Sequence, residues 1–205
     1  MSSTEGVRRH YDRMAESYDR LIVPAERLFF GGGREWVCSQ ARGEVLEIAV
    51  GTGRNLPFYP EGIQLTGVEL SPKMLAIARR RARELDAEFD LRTGDAQDLP
   101  FLDASFDTVV ATLALCTIPD DRRAVAEAAR VLRPGGRLLL LEHVRSPLLP
   151  VRLAQTVLNP LFILLEGDHL LREPLRHVEA EGLLVECLER SRLGVVKRLA
   201  ARKTV

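Results

Sequence analysis

Cysteine is scarce and poorly spaced for structural chemistry: Cys38, Cys116 and Cys187 are odd in number and form no Cys-x-x-Cys pair. That argues against a disulfide framework and a metal site, and it leaves Cys116 to be read as a small buried hydrophobe. Net charge is lacking too. Lys plus Arg and Asp plus Glu number 29 each, so no basic field gathers nucleic acid, and Arg79-Arg80-Arg81 with Arg83 reads as the solvated face of a helix. The stretch Met1–Arg20 has no apolar core of the kind a signal peptide or anchor needs, which makes a cytoplasmic protein the expectation. The apolar run Leu158–Leu165 is interrupted by Asn159-Pro160 and is too short to span a bilayer. Its expected place is a pocket wall or a core helix, with shallow contact at a membrane surface as the other reading. No repeat and no polar linker divides the 205 residues, 46% of them hydrophobic, so a single domain with a full core is expected over 1–205.

What the chain does have is Glu44-Val-Leu-Glu-Ile-Ala-Val-Gly-Thr-Gly-Arg-Asn55, an apolar strand running into a glycine-rich turn. A dinucleotide fingerprint needs a third glycine three places past Gly53, where Leu56 stands, and a phosphate loop needs Gly-Lys-Ser/Thr, where Arg54-Asn55-Leu56-Pro57 follows. A glycine loop preceded by Glu47 suits a cofactor that is cationic and carries no phosphate. S-adenosylmethionine (SAM), with its sulfonium, ammonium and ribose, is such a molecule. Gly51 and Gly53 lack a Cβ and let backbone approach closely, while Glu47 can meet the cationic end. A second strand, Gln64–Leu70, closes on Glu69, about 20 residues beyond the loop, where an acid accepts both ribose hydroxyls. Asp95, after the strand-like Glu88–Arg92, can take the adenine amino group. Each acid alone could be a helix cap or a solvated turn; three in order, each just past a strand, point to one ligand.

Strands alternate with helices through the middle of the chain, which implies crossover units and a mainly parallel sheet of the α/β class. Ser71-Pro72 opens a helix running to about Leu85. A second helix spans Asp120–Leu132, and Arg133-Pro-Gly-Gly136 turns it into a strand over Arg137–Val144, whose Leu138–Leu141 run suits burial on both faces. Two last strands are expected at Leu183–Arg190 and Val195–Arg202.

The segments Val45–Gly53, Gly67-Val-Glu-Leu-Ser-Pro-Lys-Met74, Gly94-Asp-Ala-Gln-Asp-Leu-Pro-Phe101, Ser105-Phe-Asp-Thr-Val-Val110 and Val131-Leu-Arg-Pro-Gly-Gly136 make the chain resemble the class I SAM-dependent methyltransferases over nearly its whole length. The resemblance implies a Rossmann-like, seven-stranded, mostly parallel sheet with helices on both faces. It implies SAM as methyl donor, S-adenosyl-L-homocysteine as product, and Asn55, Leu70, Met74, Ala96, Thr112 and Leu113 beside the acids around the cofactor. Ala49 stands where the family usually has its first glycine, so altered packing with retained binding is expected. Residues 1–35 would form lid helices, because Tyr11–Asp19 is similar to the helix lying over the cofactor in ubiquinone and menaquinone C-methyltransferases, with Tyr18 closing the site.

Within the family, Thr112-Leu-Ala-Leu-Cys116, Glu142-His-Val144 and Gly167-x-x-Leu170-x-Arg172-Glu173 are most similar to the methyltransferase-like thiol S-methyltransferases, although Asp168 stands where those relatives often have cysteine. The implied acceptor is a small hydrophobic thiol, bound by the insertion over 146–172. A thiol with pKa near 8.5 is already about a few per cent thiolate at neutral pH, so a weak base suffices. His143 is the expected base, followed by His169 and Asp168. C- or O-methylation of a quinone, phenol or lipid-like acceptor is the alternative. A SAM-binding module without turnover and a dehydrogenase are readings of a different class.

Overall fold

Strands β1 (Glu44–Ile48), β2 (Gln64–Glu69), β3 (Asp90–Thr93), β4 (Phe106–Thr112), β5 (Leu132–His143), β6 (Leu183–Arg190) and β7 (Val196–Lys203) form one sheet in the order β3-β2-β1-β4-β5-β7-β6. This is a computed structural model, and it describes residues 3–191 and 193–204. The first five strands are parallel, and β7 inserts antiparallel between β5 and β6. The α/β sheet and its closing antiparallel pair are therefore as expected. The order reverses between β1 and β4, the place where open α/β sheets bind ligands at their carboxyl ends.

The central strands read as continuous apolar runs because both faces are covered. On one face α4 (Asp121–Val131) and α6 (Leu175–Ala180) pack Ala124, Val125, Ala128 and Val178 against Leu46, Val109, Leu138 and Leu140. On the other, α2 (Gly33–Cys38) and α3 (Pro72–Glu84) bring Val37, Leu75, Ala78 and Ala82 onto Val45, Val110, Leu139 and Leu141. The helix starts follow the local chemistry: the Ser71 hydroxyl accepts from Met74 N at 3.2 Å with Pro72 in the first turn, and the Asp120 carboxylate accepts from Arg123 N at 2.9 Å.

Three expectations change. Strand β3 lies over Asp90–Thr93 rather than Glu88–Arg92. Strand β5 begins at Leu132, paired with Phe106, and the register then jumps so that Thr108 pairs with Arg137; Arg133–Gly136 bulges out within the strand instead of separating it from α4. The third concerns Asn159-Pro160, which does not break its segment. Helix α5 runs through it from Leu149 to Glu166, and Asn159 Oδ1 accepts from Leu170 N at 2.9 Å. Nor is α5 a core helix, since Leu153, Val157 and Leu164 are exposed.

Candidate active site

Helix α1 (Thr4–Ala25) lies across the carboxyl ends of β1, β2 and β3 and is tied to the loop after each. Thr52 Oγ1 donates to Asp19 at 2.6 Å, Ser71 Oγ to Asp12 at 2.6 Å, and Gln97 Nε2 to Thr4 Oγ1 at 3.1 Å. Tyr11-Asp12 and Tyr18-Asp19 sit seven residues apart, so two helical turns put both tyrosines on the inner face and both acids beside them. The rings meet edge to face at 6.1 Å between centroids. Arg81, in the cluster read as a solvated face, donates to Asp19 and to the Thr52 carbonyl, so it holds the helix down rather than facing water.

Beneath α1 is a cavity with an empty volume of about 810 Å³, its mouth included. Tyr18, Glu47, Ala49, Gly51, Glu69, Leu70, Met74, Asp95, Ala96, Thr112 and Leu113 all border it. Of the expected cofactor residues only Gly53 and Asn55 do not. Gly53 serves helix packing: at φ 77°, a Cβ there would come within 3.1 Å of Ala78 in α3. Asn55 acts from behind, donating to Glu47 Oε1 at 2.8 Å and to Thr112 Oγ1 at 2.9 Å. Ala49 takes φ 55°, a left-handed conformation that glycine would adopt without strain.

The acids are held by the fold. Glu69 accepts from Gly51 N at 2.9 Å and Ser71 N at 2.8 Å, so it shapes the glycine turn as well as facing the cavity. Burial raises its carboxyl above the ordinary range, against the pull of those backbone donors. Glu47 is 2% exposed and accepts from Tyr59 at 2.9 Å on its second oxygen; desolvation pushes it up to about 7, although Tyr59, Arg34 and Asn55 all favour the ionised form. Arg34, which the sequence reading missed, also borders the cavity; it donates to Asn55 Oδ1 at 2.8 Å and pairs with Glu26. No local pattern marks Arg34, because its partner Asn55 is 21 residues away.

These residues fit SAM. A cation beside Glu47 would offset the desolvation that keeps this carboxyl partly protonated. Glu69 and Asp95 offer acceptors at the ends of the next two strands, and the neighbouring Arg34 guanidinium suits a carboxylate.

The expected catalytic residues sit elsewhere. His143, expected to face the transferred methyl group, does not border the cavity; its Nε2 meets Asp168 Oδ1 at 2.7 Å, and Cys116 Sγ lies within 4.8 Å of both. Burial alone would lower the imidazole, but Asp168 raises it above its ordinary value. His169 donates its backbone N–H to the Cys116 carbonyl at 3.0 Å. All three stand behind the loop Leu113–Pro119, whose front forms one cavity wall. Glu142 accepts from Ala114 N and Leu115 N at 2.9 and 3.0 Å, and Arg172 donates to the carbonyls of Leu115, Ile118 and Pro119. The insertion 146–172 thus braces the wall through its last residues, while α5 contributes no residue to the cavity.

Comparison with known proteins agrees with this geometry. A family model described as a methyltransferase domain matches residues 46–140. The human thiol S-methyltransferase TMT1A is 32% identical over 173 residues, covering 82% of this chain and 70% of that one. The phosphatidylethanolamine N-methyltransferase of Cereibacter sphaeroides is 44% identical over 103 residues (49% and 51%), and the demethylmenaquinone methyltransferase of Thermotoga maritima 38% over 144 (65% and 60%). The chain thus spans about half to three fifths of several curated relatives it matches. A solved SAM-dependent methyltransferase of Thermotoga maritima, titled a possible histamine N-methyltransferase, superposes with a TM-score of 0.73 at 23% identity, covering 96% of this chain and 99% of that one. A lid over three ordered acids, a glycine turn at the strand switch point and these relatives have one common explanation: the chain belongs to the class I SAM-dependent methyltransferases.

Proposed function

We propose that the chain methylates a small hydrophobic thiol. The observation that carries this reading is the make-up of the cavity wall beyond the cofactor acids. Val7, Tyr11, Tyr18, Thr117, Ile118 and Pro119 supply apolar surface and hydroxyls there. Among the described residues, no imidazole and no carboxylate other than Glu47, Glu69 and Asp95 borders the cavity. Burial holds Tyr11 and Tyr18 well above the ordinary phenol range, so both are neutral hydrogen-bond donors. Such a wall favours an acceptor that ionises on its own. A thiol does so about 30 times more readily than a phenol, from ordinary pKa values near 8.5 and 10.

SAM, when bound, supplies a methyl carbon made electrophilic by the sulfonium, so most of the protein's work is positioning. Glu47, fixed by Asn55 and Tyr59, would hold the cationic end; Glu69 would hold the ribose and Asp95 the adenine. Helix α1 would act as the lid, with Tyr11 and Tyr18 donating to the acceptor sulfur. His143, Asp168 and Arg172 would keep the Leu113–Pro119 wall in place.

A lipid-like amine is the second reading, favoured by the apolar outer face of α5 and by the relative named for phosphatidylethanolamine. Mass spectrometry of products from a panel of hydrophobic thiols, catechols, menaquinols and phosphatidylethanolamine vesicles separates the two. Hydrophobic thiols should give the highest kcat/KM. A higher value for a quinol or a phospholipid replaces the thiol assignment.

A further inference from the structure

Helix α5 is inside out. A helix on a soluble domain turns its apolar stripe to the core, but here the inward side carries Gln155, which donates to the carbonyls of Val144 and Leu170 and accepts from Ser146 N, and Asn159, which accepts from Leu170 N. The outward side carries Leu149, Leu153, Val157 and Leu161, spaced four apart, with Leu158, Leu164 and Leu165 alongside; Val157 is 77% and Leu164 74% exposed. With Leu148, these are eight of the seventeen exposed large apolar side chains among the described residues, gathered within eighteen positions. Arg152 is the one charged residue between Leu148 and Leu165, and no described helix is long and apolar enough to cross a membrane.

The surface does not end at the helix. Arg190 donates to the Arg145 carbonyl and lines a cleft with Phe29 and Phe30, while the Ser146 hydroxyl donates to the Leu193 carbonyl. Leu28, Phe29 and Leu193, all exposed, therefore join the start of α5. Arginines edge the patch. Arg27, Arg145 and Arg152 form no ion pair among the described residues, whereas Glu189, the exposed acid of the cleft, is paired with Arg198.

A convex, uncharged leucine stripe about 27 Å long with unpaired arginines at its border has the make-up of a helix that lies in the interface of a bilayer. We propose that α5 and the adjoining Leu28–Phe29, in the π-helical segment Glu26–Phe30, dock the enzyme on an anionic lipid surface. The stripe sinks among the acyl chains near the headgroups, and Arg27, Arg145 and Arg152 meet lipid phosphates. The proposal is independent of which acceptor is methylated. It does place the helix whose far end grips the cavity wall, through Gly167–Arg172, at the membrane surface.

The test is co-sedimentation of the whole chain with vesicles of phosphatidylglycerol and phosphatidylcholine in about a 1:3 ratio, and with phosphatidylcholine alone. Wild type should pellet with the mixed vesicles. The double variant Val157→Glu, Leu161→Glu should bind about tenfold more weakly or worse, because two charges would enter the acyl region. Arg145→Glu with Arg152→Glu should lose binding and its dependence on salt. Leu102→Glu, at an equally exposed leucine away from the patch, should bind as wild type does. Unchanged SAM affinity by calorimetry shows that each variant is folded. Wild type left in the supernatant, or equal binding to pure phosphatidylcholine, overturns the proposal. So does a dimer by light scattering that the α5 glutamates dissociate, since the stripe would then be covered by a second copy.

Discussion

Lowering pH should weaken SAM binding through Glu47, and the size of the effect follows from its burial. Desolvation raises this carboxyl from 4.5 to about 7 in the ligand-free protein. The folded value lies above the unfolded one, so the carboxyl favours the folded state fully below pH ~4.5, and that contribution, about 3 kcal/mol, is lost as pH rises to about 7. A bound cation reverses the balance by favouring the carboxylate, so binding below pH ~7 must expel a proton. If the complex keeps Glu47 ionised down to pH ~5, the dissociation constant should be roughly 15-fold larger at pH 5.5 than at pH 7.0. The window ends at pH ~7 because the donor's own α-amino group titrates near 8. Calorimetry at pH 6 in two buffers of different ionisation enthalpy should report close to one proton released. Glu47→Gln keeps the shape and removes the charge; it should bind about tenfold more weakly at pH 7, with most of the pH slope gone. Affinity flat from pH 5.5 to 7.0, or the same slope in the glutamine variant, would refute the assignment of Glu47 to the cationic end.

Three further outcomes test the site. Gly53→Ala should lower the melting temperature by about 5–10 °C, because its Cβ would press on Ala78, whereas Ala49→Gly should raise it by a few degrees, about 1 kcal/mol, by relieving a left-handed alanine; thermal unfolding of both decides. Glu69→Ala should weaken SAM binding by about 1.5–3 kcal/mol, since it removes the acceptor proposed for the ribose and strands two backbone donors, Gly51 N and Ser71 N; an unchanged dissociation constant in a folded variant removes Glu69 from the site. His143→Ala should lower thermal stability and leave the shape of the pH–rate profile intact, as expected of a wall brace; a loss of about 10²-fold or more in kcat that shrinks at high pH, with SAM affinity unchanged, would restore it as general base.

The sheet and the three acids that border the cavity were legible because their signals are local. Glu47 sits one residue before the end of β1, Glu69 ends β2 and Asp95 follows β3 by two residues, so chain order alone brings the three to the carboxyl edge of neighbouring strands. Ser71-Pro72 and Asp120 mark helix starts by bonds that span three residues. Gly53 misled because sequence shows that a glycine is needed but not whether a ligand or a helix occupies the space. Arg34 was invisible: its role depends on Asn55 and Glu26 converging from separate elements. Helix α5 was misread because Asn159-Pro160 looks like a break in one dimension. In three, Asn159 caps the neighbouring loop with its side chain, and a proline inside a helix is tolerated once its bend is accommodated.

The position of His143 outside the cavity has a more general cause. A histidine at the end of a central strand next to an acid, near the mouth of an α/β sheet, has the composition of a catalytic dyad, but which side of the wall it occupies depends on strand alternation. Leu139, Leu141 and His143 point to one face of β5, Leu140 and Glu142 to the other, so Glu142 reaches the Ala114 and Leu115 amides while His143 meets Asp168 from the α5–α6 connection. Arg172 adds three bonds to the carbonyls of the same loop. A loop with Leu113 at φ 54° and its amides and carbonyls held from behind is preorganised. For a displacement in which placing two atoms in line is most of the task, that rigidity is where buried charges outside the cavity can contribute to rate.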